Sequence, residues 1–189
     1  YDQVGYSFLE RNIPLFDAAF ERLQILEGGF SNDPDDRGGR TKFGITQKSW
    51  TGSGKDGDVS GITLEEAKLW YLDFCWKDAG MSLLERAGVP ERILTSVFCG
   101  IVHCGRKTSV TILQNSYNTL REEGAVGLIP DGVVGAITSR VLGAFCQKPE
   151  YADALLAAYR YGLGQLYMDI IRRDPSQRKF IRGWMRRLV

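Results

Sequence analysis

The sequence predicts a mainly α fold with one small β hairpin. Apolar residues recur at three- and four-residue spacing through most of the chain, the signature of helices with one buried face. Glycine, proline, aspartate and asparagine concentrate between those runs, at 28–46, 51–61 and 121–136, where the chain must turn. A single short stretch, Lys42-Phe43-Gly44-Ile45-Thr46, reads instead as the strand of a hairpin. At 189 residues and 43% hydrophobic content, the chain is long enough for one good-sized core or two tightly packed lobes.

Residues 1–12 lack periodicity and are expected to form a leader or loose arm. Pro14 suits the first turn of a helix, and Phe16, Ala19, Phe20, Leu23 and Leu26 mark its buried face. Glu27 follows directly, and Gly28-Gly29 stop the helix, because glycine accepts the left-handed conformation found at helix C-termini. Thr63-Leu64-Glu65-Glu66 is a capping box opening a helix with Ala67, Trp70, Tyr71 and Phe74 inward. Further on, Pro90 to Cys104 carries Ile93, Val97, Ile101 and Cys104 on one face, and Gly105 ends it. Val110, Leu113, Tyr117 and Leu120 define the next helix. Ile137, Val141 and Phe145 predict the inward face of a short one. A long helix is expected over Tyr151 to Ile171, with Leu155, Tyr159, Leu166 and Ile170 inward. Asp174-Pro175 then starts a last helix, aspartate as cap and proline in the first turn. The expected organisation is a leader at 1–12, a region at 13–82, and a helical region at 83–189 packed on the first.

Charge and cysteine content narrow the function classes. The net charge is +1, but seven bases against one acid lie between Arg172 and Arg187, while the first 37 residues carry eight acids and three bases. A basic end suits an anionic polymer or envelope surface, or simply a solvated helix face. It has no interleaved motif of a nucleic-acid module, so no nucleic-acid partner is expected. No run approaches the roughly 20 apolar residues of a membrane span, and oligomeric state is not legible. Cys75, Cys99, Cys104 and Cys146 lack metal-site spacing; the first three, inside apolar patterns, are expected as buried thiols. His103, the only histidine, is expected to pack or cap rather than act as a base.

The chemistry concentrates between Glu27 and Thr46. A carboxyl at the end of an apolar helix can stay protonated near neutral pH through desolvation. An acidic loop beside it, Asp33, Asp35 and Asp36, offers a partner that stays ionised. Such a pair is what cleavage of a glycosidic bond requires. Asp36 lies closest to Gly38-Gly39, where the backbone can turn sharply toward a substrate, and the Thr41 hydroxyl just beyond could help hold a water. The EF-hand pattern fails, since Arg37 occupies a ligand position and Gly44 the place of the bidentate glutamate. The phosphate-loop ending Gly-Lys-Ser/Thr is absent. The candidate catalytic residues are Glu27, Asp36 and Thr41, and the candidate substrate contacts are Gly39, Phe43 and Trp50. No metal or cofactor is expected.

The intervals from Glu27 to Asp36 and from Asp36 to Thr41 resemble those of phage-type lysozymes. The chain is more closely similar to family 108 of the glycoside hydrolases, N-acetylmuramidases found among phage endolysins and secretion-associated muramidases. That family's acid-Gly-Gly helix end and Asp-x-Gly-Gly-x-Thr-x-x-Gly-Ile-Thr run stand here as Glu27-Gly28-Gly29 and Asp36 to Thr46. Ala67, Tyr71 and Trp76 resemble a further family segment, with Cys75 where a tyrosine is usual. Leu113-Gln114, Asp131-Gly132-Val133-Val134-Gly135 with Thr138, and Asp174-Pro175-Ser176-Gln177 with Phe180, Gly183 and Trp184 resemble its predicted peptidoglycan-binding region. One segment departs: the usual Phe-Asp-x-x-Val-Asn-x-Gly is here Phe98-Cys99-Gly100-Ile101-Val102-His103-Cys104-Gly105.

The resemblance implies a lysozyme-like fold and a bacteriolytic muramidase cleaving the β-1,4 bond between N-acetylmuramic acid and N-acetylglucosamine in peptidoglycan. It implies Glu27 as general acid and peptidoglycan glycan strands as partner. The protein would be made in the bacterial cytoplasm and act in the periplasm or cell wall, for phage lysis or secretion-linked remodelling. The alternative is a non-catalytic peptidoglycan-binding or structural protein that keeps the fold.

Overall fold

The computed structural model describes residues 13–26 and 40–188, Leu26 by its backbone alone. The expected leader at 1–12 and the Gly28-Gly29 helix stop lie outside the described residues. Helix α1 (Pro14–Leu26) buries Phe16, Ala19, Phe20 and Leu23, the face the spacing predicts. A two-stranded antiparallel hairpin follows, β1 (Thr41–Lys42) and β2 (Ile45–Thr46), leading straight into α2 (Gln47–Gly52). α3 (Leu64–Trp70) starts at the predicted capping box. The Thr63 hydroxyl accepts from the Glu66 N–H at 3.2 Å, and the Glu66 carboxylate accepts from the Thr63 N–H at 2.7 Å.

The helix then widens into π geometry over Tyr71–Lys77, a change no propensity announces. The widened turn buries Tyr71, Leu72, Cys75 and Trp76 together. Two aromatic contacts fix it against α1, Phe16 meeting Trp76 edge-on at 5.5 Å and Phe20 lying 5.8 Å from Tyr71, and Phe16 also meets Phe98 at 5.8 Å. Lys68 also reaches Asp17 of α1 at 2.7 Å.

α4 (Met81–Arg86) precedes α5 (Glu91–Cys104), the central helix. α5 buries Ile93, Leu94, Val97, Phe98, Cys99, Gly100 and Ile101, covering more than one face, as expected of a helix surrounded by others. It packs on α1, on α6 (Arg106–Leu120) and on α8 (Pro149–Arg173). Gly100 leaves room on α5 for the Tyr159 side chain of α8: a Cβ there would clash with the Tyr159 hydroxyl. That hydroxyl shares a 2.6 Å hydrogen bond with Ser109, which in turn donates to the Val97 carbonyl, so the buried polar pair is satisfied.

Three sequence expectations change. In α7 (Ala136–Phe145) the buried residues are Thr138, Ser139, Leu142 and Gly143. Ile137 is 60% exposed, and Val141 and Phe145 are only partly covered. The reason is a close crossing with α4. A Cβ on Gly143 would sit 2.3 Å from the Ala87 carbonyl oxygen, so small residues face the neighbour and bulk turns outward. In α8 the deeply buried positions beyond Tyr159 are Leu163 and Tyr167; Leu166 and Ile170 lie half-buried beside them. After α8, Asp174 does cap, accepting from the Ser176 N–H. The chain it starts is a 3₁₀ turn (Pro175–Phe180), followed by a short α9 (Ile181–Met185) and a last 3₁₀ turn (Arg186–Leu188).

All four cysteines are free, with Cys75, Cys99 and Cys146 buried. Burial pushes the Cys75 and Cys104 thiols up to about 12 and Cys146 to about 11, so they stay protonated and unreactive near neutral pH. His103 packs edge-on to Tyr167 at 5.0 Å and beside Trp184 at 5.3 Å. Among the described residues, no helix is long and apolar enough to cross a membrane.

Candidate active site

The described part of the site begins at the hairpin. Thr41 pairs with Thr46 and Lys42 with Ile45, leaving Phe43-Gly44 as a two-residue turn with both φ angles positive, +51° and +80°. Positive φ at both positions marks a type I′ hairpin turn, which glycine enters freely and phenylalanine does not. Phe43 is the only non-glycine residue with positive φ among the described residues. Such a conformation costs about 1–3 kcal/mol and persists where surrounding contacts impose it. Here the Tyr71 hydroxyl, from the π turn, donates to the Phe43 carbonyl at 2.9 Å. The Lys42 ammonium lies 5.4 Å over the Phe43 ring, and Ile45, 1% exposed, plugs the hairpin into the core.

Loop 53–61 braces the hairpin's outer side. Gln47 donates to the Gly57 carbonyl at 3.1 Å and accepts from the Val59 N–H at 2.8 Å. Trp50 donates its indole N–H to the Asp56 carbonyl at 3.0 Å. Lys42 donates to the Ser60 carbonyl at 2.8 Å, and Arg40 pairs with Asp58. The Ser60 backbone N–H, then the Ser60 side chain, hold the Asp58 carboxyl below its ordinary range, with Arg40 adding a smaller push. Thr46 caps α2 by accepting from the Ser49 N–H at 3.1 Å. The result is a wall whose strands are short but whose side chains reach across up to 28 residues of sequence.

Of the predicted site residues, Thr41 begins β1, half-buried, at the end of the hairpin next to the acidic loop. Phe43 sits half-buried at the hairpin tip. Trp50 is 6% exposed, with its ring packed beneath the wall and its N–H spent on Asp56. Glu27, Asp36 and Gly39 lie outside the described residues. Tyr71 and Gln47 hold the wall together and were missed as site residues. In the sequence Tyr71 is legible as an apolar-face position and as part of a family-like segment, neither of which says where its hydroxyl goes, and Gln47 gives no signal.

The C-terminal motif residues Gln114, Asp131, Gly132 and Val133 bond to one another. Gln114, 1% exposed, donates to the Asp131 carboxylate at 2.9 Å and to the Val133 carbonyl at 3.1 Å, and accepts from the Gly132 N–H at 2.9 Å. Asp131 also accepts from the Val133 N–H at 2.8 Å. These bonds, Gln114 first, lower the Asp131 carboxyl below its ordinary range. Gly132 has φ +78°, and a Cβ on it would meet the Lys107 carbonyl at 2.8 Å. Asp131, Gly132 and Val133 thus clamp a loop onto α6.

The mainly helical architecture, with a single hairpin following α1 among the described residues, is a lysozyme-like fold. The structure is similar to that of Brucella abortus SagA, with a TM-score of 0.70 and 21% identity over 92% of this chain and 88% of that one; at this identity the likeness speaks for the fold. No curated protein matches the chain. Residues 20–105 match glycosyl hydrolase 108 and residues 108–189 match a predicted peptidoglycan domain. The first part of the chain thus carries a glycosyl hydrolase 108 domain and the second a predicted peptidoglycan domain, a pairing that supports a glycosidase acting on peptidoglycan.

Proposed function

We propose that this protein is an N-acetylmuramidase, hydrolysing the β-1,4 bond between N-acetylmuramic acid and N-acetylglucosamine. The observation that carries the reading is the Glu27-to-Thr46 run. It falls within the family 108 match, and its residues 41–46 form a strained, braced hairpin. In this mechanism Glu27, the residue that follows α1 in sequence, donates its proton to the leaving glycosidic oxygen. Asp36 stays ionised and positions or activates water, assisted by the Thr41 hydroxyl. A carboxyl separation of roughly 6.5–9.5 Å would go with inversion and about 5 Å with retention. Gly39 and Phe43 meet the sugar, and Trp50 supports the wall from beneath. The hydrolytic machinery lies in residues 13–82, and residues 83–189 pack on it as the binding region. The protein acts in the periplasm or cell wall, in phage lysis or secretion-linked remodelling.

The test is clearing of a purified cell-wall suspension. The wild-type chain clears it, and Glu27→Gln lowers the rate by about 10²–10⁴-fold, the range general acid catalysis supplies. Mass analysis of the released fragments reports the bond, since muramidase products end in reducing N-acetylmuramic acid. Binding without clearing by the wild type would leave a wall-binding protein rather than an enzyme.

A further inference from the structure

Away from the hairpin, a pocket of about 190 Å³ opens where α1, α5, α8 and the C-terminal turn meet. Its lining includes Arg22, Arg92, Arg160 and Arg187, together with Ser96 and Cys99. Four guanidinium groups thus gather in one pocket of a chain whose net charge is only +1. Among the described residues, the lining contains no lysine and no carboxylate. Arg92 is met at the rim by Asp153, at 2.8 Å. Arg160 makes no ion pair among the described residues, and its Nε is buried with no acceptor. Ser96 is 6% exposed, and its hydroxyl is likewise buried without a partner. Buried donors left without acceptors are costly and rare in native proteins, and a bound ion is one of the few things that accounts for them.

Arginine's planar fork matches a carboxylate or phosphate through two parallel hydrogen bonds, which a lysine ammonium cannot reproduce. We propose that this pocket binds an oxyanion, a carboxylate or phosphate group carried by the cell-wall polymer, with Arg160 and Ser96 as its innermost donors. Arg22, Arg92 and Ser96 belong to the glycosyl hydrolase 108 match and Arg160 and Arg187 to the predicted peptidoglycan domain, so the occupant ties the two regions together at their seam. The oxyanion site stands on the pocket alone. Only the assignment of its source to the wall rests on the proposed function.

Calorimetric titration of the full chain with inorganic phosphate tests the site. The expected result is saturable one-site binding, weakened about 10- to 100-fold in Arg160→Gln, the usual worth of a hydrogen bond to a charged group. Arg160→Lys recovers part of the loss and Ser96→Ala loses less than Arg160→Gln. Arg173→Gln removes one exposed charge elsewhere and binds as the wild type does. Absence of saturable binding, or equal losses in Arg160→Gln and Arg173→Gln, overturns the proposal. If Arg160→Gln does not fold, Arg160→Lys and Ser96→Ala carry the same comparison.

Sedimentation of Glu27→Gln with sacculi then distinguishes the sources. Stripping stem peptides with an amidase abolishes the Arg160-dependent retention if the ligand is a peptide carboxylate; hydrofluoric acid treatment abolishes it if the ligand is a wall-polymer phosphate. Retention that Arg160→Gln leaves unchanged overturns the wall assignment while the phosphate titration stands. The wall-clearing assay reports separately on the muramidase reading.

Discussion

The hairpin at 41–46 and the loop at 128–135 solve the same problem in opposite ways. Both are short, glycine-containing turns pinned to a helix by polar side chains. The second is settled: Gln114 is buried, its amide oxygen and nitrogen all engaged, and Asp131 folds back on its own loop. The first is held under strain. Phe43 occupies a left-handed conformation, its carbonyl is tethered by Tyr71 from 28 residues away in sequence, and charges at Arg40, Lys42 and Asp58 brace its flank. Strain kept in place by distant contacts goes with a working surface, whereas a fully satisfied network goes with a scaffold. Resemblance to a family motif therefore does not by itself separate the two roles, since Asp131 and Phe43 both sit in family-like stretches.

Removing the scaffold clamp is expected to have the largest effect on stability. Gln114→Leu leaves the Gly132 N–H without its acceptor and the Asp131 carboxylate without its strongest donor. The loss is about 3 kcal/mol, read as a lowered denaturation midpoint. Wall clearing per folded molecule stays unchanged. A matching fall in clearing by the folded fraction would erase the distinction between scaffold and working surface.

The second effect appears with pH and separates the seam from the hairpin. Burial, and then the charge of Arg187, push the His103 imidazole down from 6.5 to about 4. The unfolded chain therefore takes up a proton below pH 6.5 that the folded chain refuses until about pH 4. Stability conferred in full above pH 6.5 is lost as pH falls through that window and stays level below it. The loss amounts to something on the order of 3 kcal/mol. His103→Phe keeps a ring between Tyr167 and Trp184 and removes this part of the slope. Chemical denaturation of both proteins at pH 7.5, 5.5 and 4 measures the difference, in which the carboxylate contributions cancel. Parallel curves would place His103 in water.

Much of this fold was legible because its signals are local. The helical spacing of Phe16 to Leu23, the Thr63–Glu66 box and the hairpin at Gly44 each depend on residues a few positions apart. The face of α7 was not legible, because it is decided by how closely Gly143 can approach Ala87, a contact 56 residues away in sequence. The arginine pocket was invisible for the same reason: Arg22, Arg92, Arg160 and Arg187 have no spacing to notice until three helices meet. The one hint was Cys99, standing where the resembling family has an aspartate. Its position in the pocket lining gives that departure a physical meaning, since a carboxylate there would sit among guanidinium groups. Within the site, Thr41, Phe43 and Trp50 were read from motif and proximity. Tyr71 was not, because nothing near it in sequence says where its hydroxyl goes.

Tyr71→Phe breaks the hairpin's tether while keeping its ring on Phe20. The expected stability loss is about 1 kcal/mol, the net worth of one hydrogen bond. Clearing is expected to fall more than so small a loss implies, because the Phe43 turn is freed to relax. Rates compared well below the melting temperature isolate that effect. An unaltered rate would mean the turn holds its shape without the tether.

The smallest stability effect, and the sharpest reading of the comparison, comes from Phe43→Asn. Asparagine accepts positive φ more readily than phenylalanine, so the substitution relieves backbone strain. It also removes a half-buried ring, and the two contributions oppose each other to leave stability within about 1 kcal/mol of the wild type. If the turn keeps phenylalanine against this conformational cost for the sake of the sugar, the apparent KM for solubilised glycan strands rises severalfold while kcat changes little, because a lost binding contact acts on ground and transition states alike. If the ring serves only to seat the hairpin, melting temperature falls and KM stays put. In that outcome the strained turn would join the Gln114 clamp as scaffold, and the contact with substrate would have to lie elsewhere along the wall.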